Sequence, residues 1–307
     1  MSSIRRTISR RDFVQGAAAF ALLGLSSTCR SRDQVPTPPE KKTRELPARS
    51  RVVLIRDENV VNSGRKVDPP IVSEMLDRGV CALTGRPDQA AAWGSLISPA
   101  DIVGIKSNAW RFLPTPAEIE QILLKRVRSA GVPAGRANVD DRGILGNPVF
   151  ERATCLVNVR PLRTHHWAGI GGCIKNYIMF SDNPPAWHDD SCANLAGVWD
   201  LPVCRDKTRL NILVMLTPLF HGKGPHHFNA SYVWDYRGLI LSADPVAADA
   251  TGLRILLAKR KAHFGKEEPL YVPPKHVEVA ETRYHLGLAD PARIDVVKIG
   301  WAQDRFI

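Results

Sequence analysis

Closely spaced cysteines are missing from this chain. Six of its 307 residues are cysteine, and no two stand nearer than Cys192 and Cys204. Without a C-x-x-C, neither a zinc ribbon nor a ferredoxin-type iron–sulfur cluster is encoded. No apolar run reaches the roughly 20 residues that span a bilayer, which excludes a multi-pass membrane protein. A Gly-Lys-Ser/Thr loop for nucleotide phosphates is absent, as is any pair of histidines at helical i, i+4 spacing. A large basic surface is lacking too. The formal charge is +11, but residues 1–28 carry +3 and residues 29–51 carry +4, which leaves +4 on all the rest. That residue gives no footprint for nucleic acid, and no nucleic-acid partner is expected.

What is present at the start reads as an export signal. Ser9-Arg10-Arg11-Asp12-Phe13 precedes a short apolar run, Gly16 to Leu25, and then Ser26-Ser27-Thr28-Cys29. The paired arginines resemble a twin-arginine signal over residues 1–28, which names the twin-arginine export machinery as a partner and the periplasm or cell envelope as the destination. Cys29 is a candidate for lipid attachment, although Ser26 stands where an aliphatic residue is usual. Contact with the membrane is thus expected only through the signal or that lipid. Residues 29–51, with Pro36, Pro38, Pro39 and Pro47 among charges, read as a solvated tether.

From residue 52 to 307 short β-branched runs alternate with helical patterns. Strands are expected at Val52–Ile55, Asp101–Lys106, Cys155–Val159, Leu210–Leu216, Gly238–Leu241 and Ile294–Ile299. Helices are expected at Pro70–Leu83, at Thr115–Ala130, from about Gly172, and from Pro245. This order specifies an α/β domain, a mostly parallel sheet with helices on both faces, in one lobe or two. Ligands of such sheets sit at the carboxyl ends of the strands, so the residues just after each strand are the ones to inspect.

Three constellations stand there. Lys106-Ser107-Asn108 closes one strand, either as a ligand contact or as a lysine reaching for solvent. His165-His166 lead through Gly169, Gly171 and Gly172 to Lys175 and Asn176. The glycines permit close backbone approach, and burial together with a helix N-terminus would lower the pKa of Lys175, as a nucleophile or base requires. In an extended chain His165 and His166 point to opposite faces, so one of them enters a given site. In the third, Asp244 and Pro245 read as a helix cap, while Asp249 falls within the apolar stripe of that helix and needs a partner. Lys175 and Lys106 are the cations to test first, with a purely structural ion pair as the alternative. His165, His188 and His226 form a candidate metal set.

The ordered set Val103-Gly104-Ile105-Lys106-Ser107-Asn108, Val157 to His165, Gly171-Gly172-Cys173-Ile174-Lys175-Asn176, Gly222-Lys223-Gly224-Pro225 and Ser242 to Asp249 resembles the domain of unknown function 362 family, DUF362. The family implies no general activity, and many members are exported or carry ferredoxin cysteines. This chain has no such cysteines, and it has Val214-Met215-Leu216-Thr217 where relatives commonly place an aspartate. A local similarity to the nickel-pincer lactate racemase family, through His165, Gly171-Gly172 and Lys175, implies a cofactor tethered to or touched by the lysine.

The expectation is an exported enzyme of unknown reaction that depends on a metal, a metal-organic group or another cofactor and acts on a small-molecule ligand. Lys175, His165 and Asp249 would be its chemical groups, and Lys106, Asn108, Gly171, Gly172 and Asn176 would contact the cofactor. The alternative is a non-catalytic cell-envelope protein that binds an anionic small molecule in the same crevice.

Overall fold

Alternation with a period of two places Val53 and Ile55 on one side of a sheet and Val52 and Leu54 on the other, and both pairs are buried in separate clusters. A computed structural model describes residues 44–223 and 228–307. The signal, Cys29 and His226 therefore lie outside the described residues.

In chain order the elements are β1 (Ser50–Arg56), α1 (Pro69–Thr84), α2 (Gln89–Leu96), β2 (Val103–Lys106), α3 (Ala117–Ser129), β3 (Ala137–Asp140) and α4 (Pro148–Glu151). Then follow β4 (Cys155–His165), β5 (Gly169–Gly171), α5 (Cys173–Asn176), α6 (Asp189–Cys192), β6 (Thr208–Leu219) and β7 (Gly238–Ser242). The chain closes with α7 (Pro245–Phe264), α8 (Lys275–Thr282) and β8 (Ile294–Gly300). The strands form one sheet in the order β3-β2-β4-β6-β7-β1-β8, with β5 hairpinned onto β4. Only β5 and β7 run against the rest, so the α/β, mostly parallel class holds.

One face is covered by α1, α2 and α3, which pack Leu76, Trp93 and Leu123 over Ile105, Val157 and Ile212. The other carries α7 and α8, with Val246, Ile255 and Val277 over Leu162, Leu213 and Ile240. A third cluster of Phe150, Tyr177, Phe180 and Trp199 fills the flank beside β4. Asp244 caps α7 through the N–H groups of Val246 and Ala247, with Pro245 in the first turn.

Two boundaries differ from expectation in ways that matter. β1 opens at Ser50, and Arg44 and Arg49, within the expected tether, already pair with Asp200 and Asp295. β4 runs six residues past Val159 to His165, buried throughout, because Asn158, Arg160, Arg163 and Thr164 are covered by packed elements rather than by water.

Candidate functional site

The candidate site grows from the carboxyl end of β4. Its floor is a ladder of buried amides. Asn211 of β6 donates to the carbonyls of Ser242 and Ala243 and accepts from Asn158 of β4 at 2.9 Å. Asn158 also donates to the Cys173 carbonyl and accepts from Asn176 at 2.8 Å. Asn176 donates further to the carbonyls of Lys106 and Val159, and Asn108 reaches its Oδ1 at 3.4 Å. These amides tie the one-turn helix α5 to the strand ends. Asn176 and Asn108 therefore act as positioning groups.

Asp249 fastens the same turn from the other side. Its carboxylate accepts the N–H of Cys173 at 2.6 Å and that of Ile174 at 2.9 Å. The position inside the apolar stripe of α7 is as expected, but its partner is neither Lys175 nor Lys106. Backbone donors next to Lys175 satisfy it instead. Burial pushes its carboxyl up to about 6 despite those two N–H groups and the charge of Arg160. Gly172 is what lets the carboxylate approach so closely, since a side chain there would occupy the same space.

Lys106 is matched elsewhere. Its ammonium lies 2.5 Å from Asp141 and 2.7 Å from the Ser107 carbonyl, wholly out of solvent. Burial lowers it to about 8 while Asp141 pulls it back up. Asp141 feels burial upward, but Lys106 and the N–H of Ala109 outweigh that and hold it below the usual carboxylate range.

Lys175 is equally buried, at 3% exposure, yet no carboxylate stands within ion-pairing distance among the described residues. Its Nζ lies 3.2 Å from His188 Nε2 and 3.9 Å from Cys192 Sγ. Burial brings its pKa down to about 8; Cys192 opposes this, and the charges of Arg160 and Arg163 add to it. The helix-terminus contribution expected from sequence does not apply, because α5 is a single turn and Lys175 stands in its last part. Asp190, Ser191 and Cys192, which carry the thiol to this amine, all hold left-handed φ values of 48°, 58° and 63°. Three such residues in a row cost of order 1–3 kcal/mol each, strain that clusters at working sites.

His165 joins the cluster. It is 6% exposed, accepts the Trp167 N–H at Nδ1 over 3.2 Å, and is held well below its ordinary pKa by burial and then by Lys175, Arg163 and Arg160. His165 and His166 do not take opposite faces. β4 ends between them, and their rings stack 4.9 Å apart. His188, expected from sequence as a metal ligand, instead abuts Lys175, with Trp167 packed on its ring at 4.4 Å between centroids.

Four further groups were not singled out from sequence. Arg160 and Arg163 both reach Gly171, because a register shift between Pro161 and Arg163 breaks the strand alternation that would send them to opposite faces. Both are buried, no carboxylate lies within ion-pairing distance of either among the described residues, and Arg160 Nε with Arg163 Nε and Nη1 have no hydrogen-bond acceptor. Arg163 rests on Trp110 at 4.2 Å. Burial brings Arg160 down to about 10. His276 of α8 is fully buried, neither ring nitrogen has a hydrogen-bond partner among the described residues, and burial followed by the charges of Lys175 and Arg160 pushes it to about 3. The fourth is Asp141, the partner of Lys106. The signal available for the arginines was the run Val157 to His165 itself, once read as one strand.

Among the described residues no group of three or more His, Cys, Asp or Glu side chains is arranged to hold a metal ion. Two buried guanidiniums favour an anion beside them, or a cofactor through its anionic group, and His226, the third residue of the candidate metal set, lies outside the described residues. None of the described helices is long and apolar enough to cross a membrane.

Comparison with curated proteins and with solved structures returned no match. The family model described as "Domain of unknown function (DUF362)" matches residues 106–254, the stretch that holds Lys106, Arg160, Arg163, His165, Lys175 and Asp249, and over that stretch the chain belongs to the DUF362 family.

Proposed function

We propose that this protein is an exported α/β enzyme that binds a small anionic molecule, as substrate or as the anionic end of a cofactor, at the carboxyl end of β4. Arg160 and Arg163 receive the anion, and Lys175 with His165 and His188 moves protons or bonds to carbon. One observation carries this reading: two neighbouring guanidiniums are buried with no carboxylate within ion-pairing reach among the described residues. Such burial costs several kcal/mol per charge unless something compensates it, and the compensation consistent with a crevice at strand ends is a ligand.

A non-catalytic envelope protein would use the same arginines. The enzymatic reading is favoured over it by Lys175, a buried amine set against an imidazole and a thiol, where Lys106 beside the same ladder has a carboxylate. Export through the twin-arginine machinery, and a lipid on Cys29, belong to this proposal as well. Replacing Arg10 and Arg11 by lysine should leave the protein in the cytoplasm of its host.

Calorimetry of the purified protein with small carboxylates and with inorganic phosphate tests the anion site. Arg163→Gln is expected to weaken the preferred anion roughly 10- to 100-fold, the value of a charge-assisted hydrogen bond. Equal affinity in the variant and the parent would remove the reading.

A further inference from the structure

Two lysines of this domain differ in their surroundings. Lys106 and Lys175 are both buried beside the same asparagine ladder, and both are reached by the field of Arg160. Lys106 has the carboxylate that a permanently charged ammonium needs. Lys175 has instead an imidazole nitrogen at 3.2 Å and a thiol at 3.9 Å, with hydrogen-bond donors of Arg160 and Arg163 left unused nearby. Burial brings both to about 8, but only Lys106 is locked in an ion pair; Lys175 instead faces an imidazole that can take its proton.

We propose that Lys175 forms a reversible imine with a small aldehyde or ketone that bears a carboxylate or phosphate, the anionic group lying against Arg160 and Arg163. This rests on the reading of the crevice as an anion site and names the chemical class of its ligand. The neutral amine attacks the carbonyl carbon, the C–N bond forms, and the carbonyl electron pair moves to oxygen, which takes up a proton. One amine proton passes to the imidazole of His188. The carbinolamine hydroxyl then accepts that proton and leaves as water while the remaining N–H proton is released and C=N forms. One carbonyl compound and one amine give one imine and one water, with no change of oxidation state.

The surroundings favour each part of this step. The groups that face Lys175 are Arg160, Arg163 and His165 from β4, His188 and Cys192 around α6, and His276 from α8. None is a carboxylate that would hold the amine protonated, and His188 is lowered by burial and then by Lys175, which keeps its imidazole able to accept a proton. At pH 7 an amine titrating near 8 is neutral roughly 200- to 300-fold more often than an ordinary lysine. His188, partly exposed, and Trp167, 48% exposed, form the outer layer of the cluster.

The test uses the purified full-length protein, incubated in parallel with pyruvate and with glycolaldehyde phosphate, then reduced with cyanoborohydride and mapped by peptide mass spectrometry. One reduced adduct on the peptide carrying Lys175 is expected, at least about tenfold above any other lysine, absent from Lys175→Met and absent without the reductant. The better of the two probes identifies carboxylate or phosphate as the anchor. Labelling spread evenly over surface lysines, or unchanged in Lys175→Met, overturns the imine. Thermal stabilisation by acetate and phosphate is measured on the same samples. Stabilisation without an adduct on Lys175 overturns the imine and leaves the anion site standing. Loss of both overturns both.

Discussion

A side chain on Gly172 would collide with the carboxylate of Asp249, which reaches past it to the N–H groups of Cys173 and Ile174. Gly172→Ala must therefore push α7 away from the turn that carries Lys175, or break both hydrogen bonds. We expect a loss of about 2–4 kcal/mol, since two buried donors and a carboxylate lose their partners together, read as a lowered urea midpoint.

That relationship also shows how much the chain tells before it is folded. Val103, Val157, Ile212 and Ile240 announce their strands because each is an apolar run with one job, and Val246, Leu253 and Leu256 mark α7 by their spacing. Ala137–Asp140 passed unnoticed as β3 because it has too few apolar side chains, and with it went Asp141, the partner of Lys106. α2 was missed for a similar reason: it buries only Ala92 and Trp93 and shows no clear stripe. The inward placement of Asp249 was legible from helical periodicity. Its partner was not, because backbone N–H groups leave no letter in a sequence. Arg160 and Arg163 draw no attention on their own, since no residue letter reveals a register shift that turns both toward Gly171.

The titration of Asp249 makes stability depend on pH. Its carboxyl sits at about 6 in the fold against an ordinary 3.8, a difference worth about 3 kcal/mol. A raised carboxyl favours the folded state below about 4, and that contribution fades as pH rises through about 6. Asp249→Asn removes it. The stability gap between parent and variant should therefore change by about 2 kcal/mol between pH 4 and pH 7, with the parent losing ground as pH rises, as chemical denaturation at each pH would record. A constant gap would show that Asp249 titrates normally.

Lys106 and Asp141 should behave as a unit. Asp141→Asn alone strands a buried ammonium and is expected to cost about 3–5 kcal/mol. Pairing it with Lys106→Met should restore most of that loss, since the amide still accepts the N–H of Ala109 and no charge remains buried. A double-mutant cycle in which the two losses simply add would contradict the pairing.

Arg163 is predicted to cost stability rather than supply it. Arg163→Met keeps an apolar stem against Trp110 and removes donors that have no acceptor. The variant should melt a few degrees higher, gaining about 1 kcal/mol, while losing the stabilisation that carboxylates or phosphate give the parent. Calorimetric scans with and without the anion check both halves.

The asparagine ladder has a consequence for the order of events in the cell. Asn108, Asn158, Asn176 and Asn211 come from stretches up to a hundred positions apart, and the last fastener, Asp249, comes later still. A ligand of the proposed anion site would be admitted only after synthesis has passed α7, so saturation with it would report completed chains and ignore truncated ones.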